Sequence, residues 1–254
     1  MSEGIVRHLF IKKKTQTTML ASSQIDLHRG YGIEGDRNCD RQSPRQVLIV
    51  NKRDLDRLSI LPGELKENIV LDKIDSNVFQ PGAKLTFDSG AQIRLTFYCE
   101  PCQRVSHLVD SLKSIEQKRG ILGIVIRAGK VKTSDRVRIE PDYFPALSEV
   151  PYERFLELVG KIPYGKVLTY KQILNSIGVD RSYYRVMPIY LKKAPEQYPV
   201  HRILDSQGQT ISHIHNHQAK LAAEGIKVMV RSSVANSRPH VSLEQYGWQN
   251  PNIC

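Results

Sequence analysis

Glu140-Pro141-Asp142-Tyr143-Phe144-Pro145-Ala146-Leu147-Ser148-Glu149-Val150-Pro151 is the stretch on which the fold turns. It holds three prolines and no hydrophobic period, so it reads as a linker or surface loop. The chain has a different texture on its two sides. Upstream, short β-rich runs at 46–50, 83–87, 91–97, 123–127 and 135–139 alternate with turns such as Gln80-Pro81-Gly82 and Asp88-Ser89-Gly90. Many short strands at this spacing predict a β-barrel or sandwich with a few helices. Downstream, apolar residues fall at helical spacing over 152–159 and 170–177, the second run stopping at Gly178. A further helix is expected from about 216 to 224, ending at Gly225. The predicted organisation is two domains: a mainly-β domain over 1–142, a linker over 143–151 and a small mainly-α domain over 152–254.

A length of 254 residues accommodates one large domain or two small ones. With 40% apolar and 25% charged residues, the composition is that of a globular protein and excludes collagen-like or wholly disordered chains. No apolar run approaches the roughly 18–20 residues that span a bilayer, so no membrane partner is expected. The N-terminus reaches Lys12-Lys13-Lys14 before any long apolar region, which argues against a secretory signal. Four cysteines are too few for a disulfide scaffold, and the default is a reducing compartment, cytoplasmic and nucleoid-associated or nuclear in a eukaryote. Lys and Arg total 37 against 26 Asp and Glu, a net charge of +11. The surplus suggests an anionic partner (nucleic acid, a phosphorylated cofactor or an acidic lipid surface), the plain alternative being a protein that is simply basic. It is denser after residue 150, with 13 basic against 7 acidic residues.

The first half holds an ordered series of motifs. Gly32-Ile33-Glu34-Gly35-Asp36-Arg37 precedes Arg45-Gln46, then come Leu61-Pro62-Gly63-Glu64-Leu65-Lys66-Glu67-Asn68-Ile69 and Cys99-Glu100-Pro101-Cys102. Lys118-Arg119-Gly120-Ile121-Leu122-Gly123-Ile124-Val125 and Ser134-Asp135-Arg136-Val137 close it. Taken singly, a Gly-Asp-Arg is a turn with a surface ion pair and a buried Cys is inert. Cys99-x-x-Cys102 reads as half a zinc site or a redox pair, and zinc lacks the remainder of its roughly four ligands. Taken in order over about 4–140, the motifs resemble the MOSC family, the domain at the C-terminus of molybdenum-cofactor sulfurases. The resemblance implies a mainly-β barrel that binds molybdenum cofactor (molybdopterin). Arg37, Arg45 and Lys66 would donate to its phosphate and pterin, while Asp36, Glu67 and Asn68 shape the pocket. Cys102, rather than Cys39 or Cys254, would be the candidate catalytic thiol, a molybdenum ligand or sulfur carrier. The chain departs from the family at Asn38, usually His, and Ser134, usually Gly.

In the second half the motifs are Ile162-Pro163-Tyr164-Gly165-Lys166-Val167-Leu168-Thr169-Tyr170-Lys171-Gln172-Ile173, Tyr184-Arg185-Val186, Ala194-Pro195, Pro199-Val200-His201-Arg202-Ile203 and Glu224-Gly225-Ile226. They resemble the DNA-binding domain of O6-alkylguanine-DNA alkyltransferases, a small winged helix-turn-helix-like fold. There the alkyl group passes to the Cys of a Pro-Cys-His-Arg-Val segment. Here Val200 occupies that position beside His201, Arg202 and Glu224, the expected lesion pocket. Valine has no nucleophile, so alkyl transfer is not expected. The pattern, with the tail Val241-Ser242-Leu243-Glu244-Gln245-Tyr246-Gly247-Trp248, resembles alkyltransferase-like proteins, which bind alkylated DNA without repairing it. By that resemblance Tyr170 presses on the phosphate of a flipped nucleotide and Arg185 fills the vacated stack. Lys166, Lys171, Lys192 and Lys193 would contact phosphates.

This half also departs from its family. Val186-Met187-Pro188-Ile189-Tyr190 replaces small residues after the Arg finger, so the recognition helix is expected to start late or to kink at Pro188. Ala194 replaces the Asn of the Asn-Pro motif. A shorter stretch, Ile211-Ser212-His213-Ile214-His215-Asn216-His217, replaces the glycine-rich pocket loop, and its alternate histidines are either metal ligands or incidental. Two functions stay open. The first is non-catalytic recognition of O6-alkylguanine-type bases in double-stranded DNA, with nucleotide-excision repair proteins as partners. The second is a molybdenum-cofactor-dependent enzyme or sulfur carrier whose C-terminal domain is an interaction module. A scaffold that has lost both chemistries is the third alternative.

Overall fold

The structure, a computed structural model, describes residues 2–13, 18–229 and 238–249. The chain divides into two compact units, Met1–Glu149 and Val150–Cys254. Seven strands of the first unit close on themselves: β1 (Ser2–Ile11), β2 (Val47–Asn51), β3 (Ile69–Asp72), β4 (Lys84–Phe87), β5 (Gln92–Tyr98), β6 (Ile121–Arg127) and β7 (Arg136–Glu140). Around the barrel the order is β1-β7-β4-β5-β6-β2-β3, and β3 returns to β1. Closure leaves these strands without a free edge. Every neighbouring pair is antiparallel except β2 and β3, which run parallel with Ile49 opposite Ile69. A parallel pair needs a crossover, and α1 (Lys52–Leu58) begins it. Asn51 caps that helix by accepting the Arg53 N–H at 3.0 Å.

Alternate residues point into the barrel. Val47 and Ile49, Ile69 and Leu71, Leu85 and Phe87, Ile93 and Leu95, and Val137 and Ile139 form its core. All five runs expected as strands are barrel strands, at slightly shifted bounds. The sequence reading did not identify β1 or β3. The alternation of β1 slips at a bulge between Val6 and His8, where the register against β3 shifts. Arg119 enters β6 through Gly120, whose φ is +95°, and a Cβ there would press into the Ile49 carbonyl.

The stretch read as a linker is bound to the barrel over much of its length. The Phe144 N–H donates to the Gly82 carbonyl at 2.9 Å, and Arg94 Nη2 donates to the Pro145 carbonyl at 2.7 Å. Lys84 Nζ lies 3.5 Å from the centre of the Tyr143 ring, and the Tyr98 N–H donates to Glu149 Oε1 at 3.1 Å. Two cations on the barrel wall thus hold the aromatic pair Tyr143–Phe144.

The second unit is small and mainly helical. Its helices are α2 (Pro151–Lys161), α3 (Tyr170–Ile177), α4 (Met187–Lys193), α5 (His217–Ala223) and α6 (Leu243–Tyr246). Proline is tolerated at the first position of α2 because the N–H it lacks has no helical partner there. Thr169 and Gln172 form a capping box on α3, which stops at left-handed Gly178. A tight turn, Arg181–Arg185, joins α3 to α4. The late-starting alternative for the recognition helix holds: Met187 is its first residue and Pro188 sits in the first turn, where it is tolerated. β8 (Leu168–Thr169) pairs in parallel with β9 (Ile203–Leu204), and β10 (Val228–Met229) pairs antiparallel with β11 (His240–Val241). Among the described residues, no helix is long and apolar enough to cross a membrane.

Gly120→Ala should destabilise the barrel by at least about 1 kcal/mol, since a left-handed backbone and a blocked Cβ position act together. Chemical denaturation of the full chain measures this, and an unchanged first transition would contradict the account of how Arg119 is placed.

Candidate functional sites

In the first unit, the Asp36 and Asn68 side chains cross-link the barrel. Asp36 Oδ1 accepts the Asn38 N–H at 2.8 Å, and Oδ2 accepts the Lys12 N–H at 2.8 Å and Asn68 Nδ2 at 3.0 Å. Asn68 Oδ1 accepts the Leu48 N–H at 3.0 Å, and its amide also donates to the Phe10 carbonyl at 3.2 Å. Both side chains are buried. They brace the ends of β1, β2 and β3, with their polar atoms already engaged. Glu67 is also buried: one carboxylate oxygen accepts the Gly63 N–H at 2.5 Å, and the other has no hydrogen-bond partner. Burial pushes its pKa above the usual carboxylate value, against the pull of the Gly63 amide.

Four cations gather beside this brace. The Lys12 ammonium is half-buried, and its pKa is lowered first by burial and then by Arg37, Lys66 and Arg104. Asp36 opposes that shift. Crowded like charges of this kind are relieved by an anion. Arg37 is exposed, Lys66 is half-buried at φ 66°, and half-buried Arg45 brings Nη2 to 4.0 Å from Cys99 Sγ.

Cys99 is buried, whereas Cys102 is half-buried at the head of a tight helical turn, Gln103–Leu108. Arg119 Nη1 donates to Cys102 Sγ at 3.3 Å and also to the Glu100 carbonyl. Only 5% of Arg119 is exposed, so a nearly buried guanidinium faces the thiol. The contact holds the sulfur in one orientation beside a positive group. Cys39 is half-buried beside Tyr31, and Cys254 lies outside the described residues. Among the described residues, no group of three or more His, Cys, Asp or Glu side chains is placed to hold a metal ion.

In the second unit Glu224 is a hub. Its Oε1 lies 2.7 Å from His201 Nε2 and accepts Arg202 Nε at 2.9 Å. Its Oε2 accepts Arg202 Nε at 3.0 Å and the Gly165 N–H at 3.0 Å. Burial alone would raise this carboxyl, but the hydrogen bonds from Arg202, Gly165 and His201 outweigh it and hold the pKa below the usual range. Arg202 Nη1 also donates to the Ile162 carbonyl at 2.6 Å. Val200 opens the same turn, Val200–Arg202, half-buried next to His201. The His-Glu-Arg network is therefore assembled around a position without sulfur.

The alternate histidines do not form a cluster. His217 is buried; its Nδ1 accepts the Ile211 N–H at 2.9 Å and its Nε2 lies 2.8 Å from the His201 carbonyl. It fixes the 211–217 segment to the His201 turn. Burial lowers its pKa, and His201 and His213 add to that, against the two backbone hydrogen bonds.

The expected DNA-contacting residues are differently disposed. Lys171, Arg185, Lys192 and Lys193 are exposed, and Lys193 Nζ lies 5.5 Å from the centre of the Tyr152 ring. Lys166 instead donates to the Gln245 carbonyl at 3.2 Å. The Tyr170 hydroxyl is buried with no hydrogen-bond partner, and burial, with Asp205 adding, raises its pKa far above the ordinary value. Arg119, Lys12 and Arg104 were not singled out as site residues from the sequence, and His217 was raised only as one of three alternate histidines that either bind a metal or are incidental. A charged residue directly before Gly120 in an apolar strand run was the available signal for Arg119. The packing role of His217 left no signal, because both its partners are backbone atoms brought near by the fold.

Residues 151–226 match the family model described as 6-O-methylguanine DNA methyltransferase, DNA binding domain. Comparison with curated proteins found no match. Among solved structures, the YuaD protein from Bacillus subtilis is 21% identical, covering 54% of this chain and 95% of its own, with a TM-score of 0.46. YiiM from Escherichia coli is 16% identical, covering 72% and 91%, at 0.40. Atl1 from S. pombe, solved in complex with damaged DNA containing O6-carboxymethylguanine, is 26% identical, covering 39% and 94%, at 0.34.

Arg119→Met removes the charged donor to Cys102 Sγ and should change the rate at which iodoacetamide modifies Cys102 severalfold. Mass spectrometry of the modified chain reads this, and an unchanged rate would remove Arg119 from the site. His217 titrates below its ordinary 6.5, so its contribution to stability is complete above that pH and is lost as the pH falls. The melting temperature of the second unit in the full chain should drop on acidification from about pH 7 to about pH 5, and His217→Gln should flatten that drop. Equal slopes in both proteins would contradict the assignment.

Proposed function

We propose, starting from a 6-O-methylguanine methyltransferase-type DNA-binding domain at residues 151–226, that this chain recognises damaged bases in duplex DNA and leaves them unrepaired. The carrying observation is Val200 beside an intact His201-Glu224-Arg202 network. The pocket frame is present and the alkyl acceptor is absent. A half-buried valine offers an alkyl group an apolar contact, while its C–H groups cannot attack a methyl carbon. Arg185 is suited to fill the stack left by a flipped base, since a guanidinium both stacks and donates. Lys171, Lys192 and Lys193 pair with phosphates. The bound lesion is then available to proteins of the nucleotide-excision type.

The first unit supports a second reading, a molybdopterin-dependent enzyme or sulfur carrier with the C-terminal unit as an interaction module. Its residues fit such a group in two respects: a crowd of cations around Lys12 suits the phosphate, and Cys102 under Arg119 suits a soft metal. Arg37, Lys66 and Arg104 would hold the phosphate end, with Asp36 and Asn68 bracing the walls. When bound, the group supplies oxygen-atom or sulfur chemistry at its metal. Arg119 keeps the thiol oriented.

Binding titration of the full chain against duplexes with and without O6-methylguanine, at two salt concentrations, tests the first reading. Tighter binding to the lesion and no transfer of labelled methyl to the protein are expected. Replacing both Lys192 and Lys193 by Ala should flatten the salt slope by up to about 2. Arg185→Ala should weaken lesion DNA more than plain DNA. Stoichiometric methyl transfer overturns the non-catalytic claim, and absence of salt-dependent binding to any duplex overturns DNA recognition. Molybdenum and pterin analysis after expression in a molybdopterin-competent host decides the second reading.

A further inference from the structure

The recognition helix α4 presents an apolar side chain among cations. Met187 and Leu191 are buried, and Tyr190 packs against Tyr152 and Phe155 with ring centres 5.0 and 5.4 Å apart. That packing fixes the helix face which remains outside: Pro188, Ile189, Lys192 and Lys193. Ile189, a β-branched apolar residue, is 55% exposed. Exposed Arg181 and Arg185 precede it, and the two lysines follow it. A duplex drawn onto this face by its phosphates meets Ile189 together with the cations.

We propose that Ile189 is an apolar wedge that enters the base stack beside Arg185 and selects duplexes whose stacking is already weakened. The proposal rests on the DNA-recognition reading and widens its substrate class, from alkylated guanine to mismatched and abasic steps. Four physical points support it. The face is positively charged on both sides of the side chain, which suits a polyanion rather than an apolar protein surface. Apolar side chains inserted from the minor groove unstack base steps, and the cost is least where pairing is already lost. The β-branched side chain is stiff, so little rotamer freedom is lost on insertion. Pro188 in the first turn of α4 fixes the entry of the helix, and Tyr190 locks its rotation through Tyr152 and Phe155. The bulk that departs from a small-residue recognition helix thereby becomes a reader of duplex deformability.

The test uses the full chain with four fluorescent duplexes: matched, single-mismatch, abasic and O6-methylguanine-containing. Wild type should bind the mismatched and abasic duplexes more tightly than the matched one. Ile189→Ala should weaken the first two about tenfold, the scale of burying a branched side chain, and leave the matched duplex nearly unchanged. Ile189→Val should retain most of the preference. Melting temperatures equal to wild type show that the exposed substitutions leave the fold intact. An unchanged mismatch-to-matched ratio in Ile189→Ala, with salt-dependent binding preserved, overturns the wedge and leaves DNA recognition standing. Tighter binding of Ile189→Ala to every duplex also overturns it, since bulk would then only obstruct. A wild type that binds none of the duplexes removes the DNA reading and the wedge with it.

Discussion

The Glu224 carboxylate holds together three segments that are far apart in sequence: the 162–165 turn, the 200–202 turn and the end of α5. A buried carboxylate costs several kcal/mol unless its lone pairs are met, and here His201, Arg202 and the Gly165 amide meet them. Arg202 is itself anchored to the Ile162 carbonyl, so the network cannot relax in one place without exposing a charge in another. The structural work of this network does not depend on the side chain at position 200: Glu224, His201 and Arg202 hold the three segments together whatever residue stands there.

The barrel is held by an analogous polar joint at the ends of its strands. Closing seven short strands puts an apolar core in the middle and leaves the loops to find partners for their backbone. Asp36 and Asn68 supply many of those partners, to Lys12, Asn38, Leu48 and Phe10. In both units, then, acidic residues with the look of ligands first hold the fold. The groups left for an outside molecule are the ones the fold does not use: the Lys12 cation crowd, Cys102 under Arg119, and the exposed face of α4.

Much of this was legible in the sequence. Strands β2, β4, β5, β6 and β7 alternate cleanly enough to be read, and α3 was marked by its period and its Gly178 stop. β1 was not, because its bulge breaks the alternation that reveals a strand. The stretch over 143–149 has the composition of a linker, yet the aromatic pair within it sits on Lys84 and Arg94 of the barrel, contacts that no local pattern encodes. Val200, His201, Arg202 and Glu224 were named as a set because a motif places them in order, and the fold joins the last three through hydrogen bonds. Lys166 and Tyr170 were assigned to phosphates by the same alignment, but the fold gives the first a carbonyl and buries the hydroxyl of the second. The packing role of His217 was beyond reach, since it depends on two backbone atoms.

The positive charge of the second unit can now be divided by what each residue does. Arg202 neutralises Glu224, Lys166 holds the Gln245 carbonyl and Lys161 pairs with Glu157 one turn away. Arg154 is fully buried, with Nε donating to the Ile177 carbonyl at the end of α3. These cations serve the fold whatever the partner. Arg181, Arg185, Lys192 and Lys193 are exposed, and they lie on the α3–α4 turn and α4. Net charge alone suggests only an anion of some kind. Arg181, Arg185, Lys192 and Lys193 flanking a more-than-half-exposed Ile189 form a more specific pattern: in the proposed reading, electrostatics brings the phosphate backbone near and the apolar side chain tests what lies between the strands.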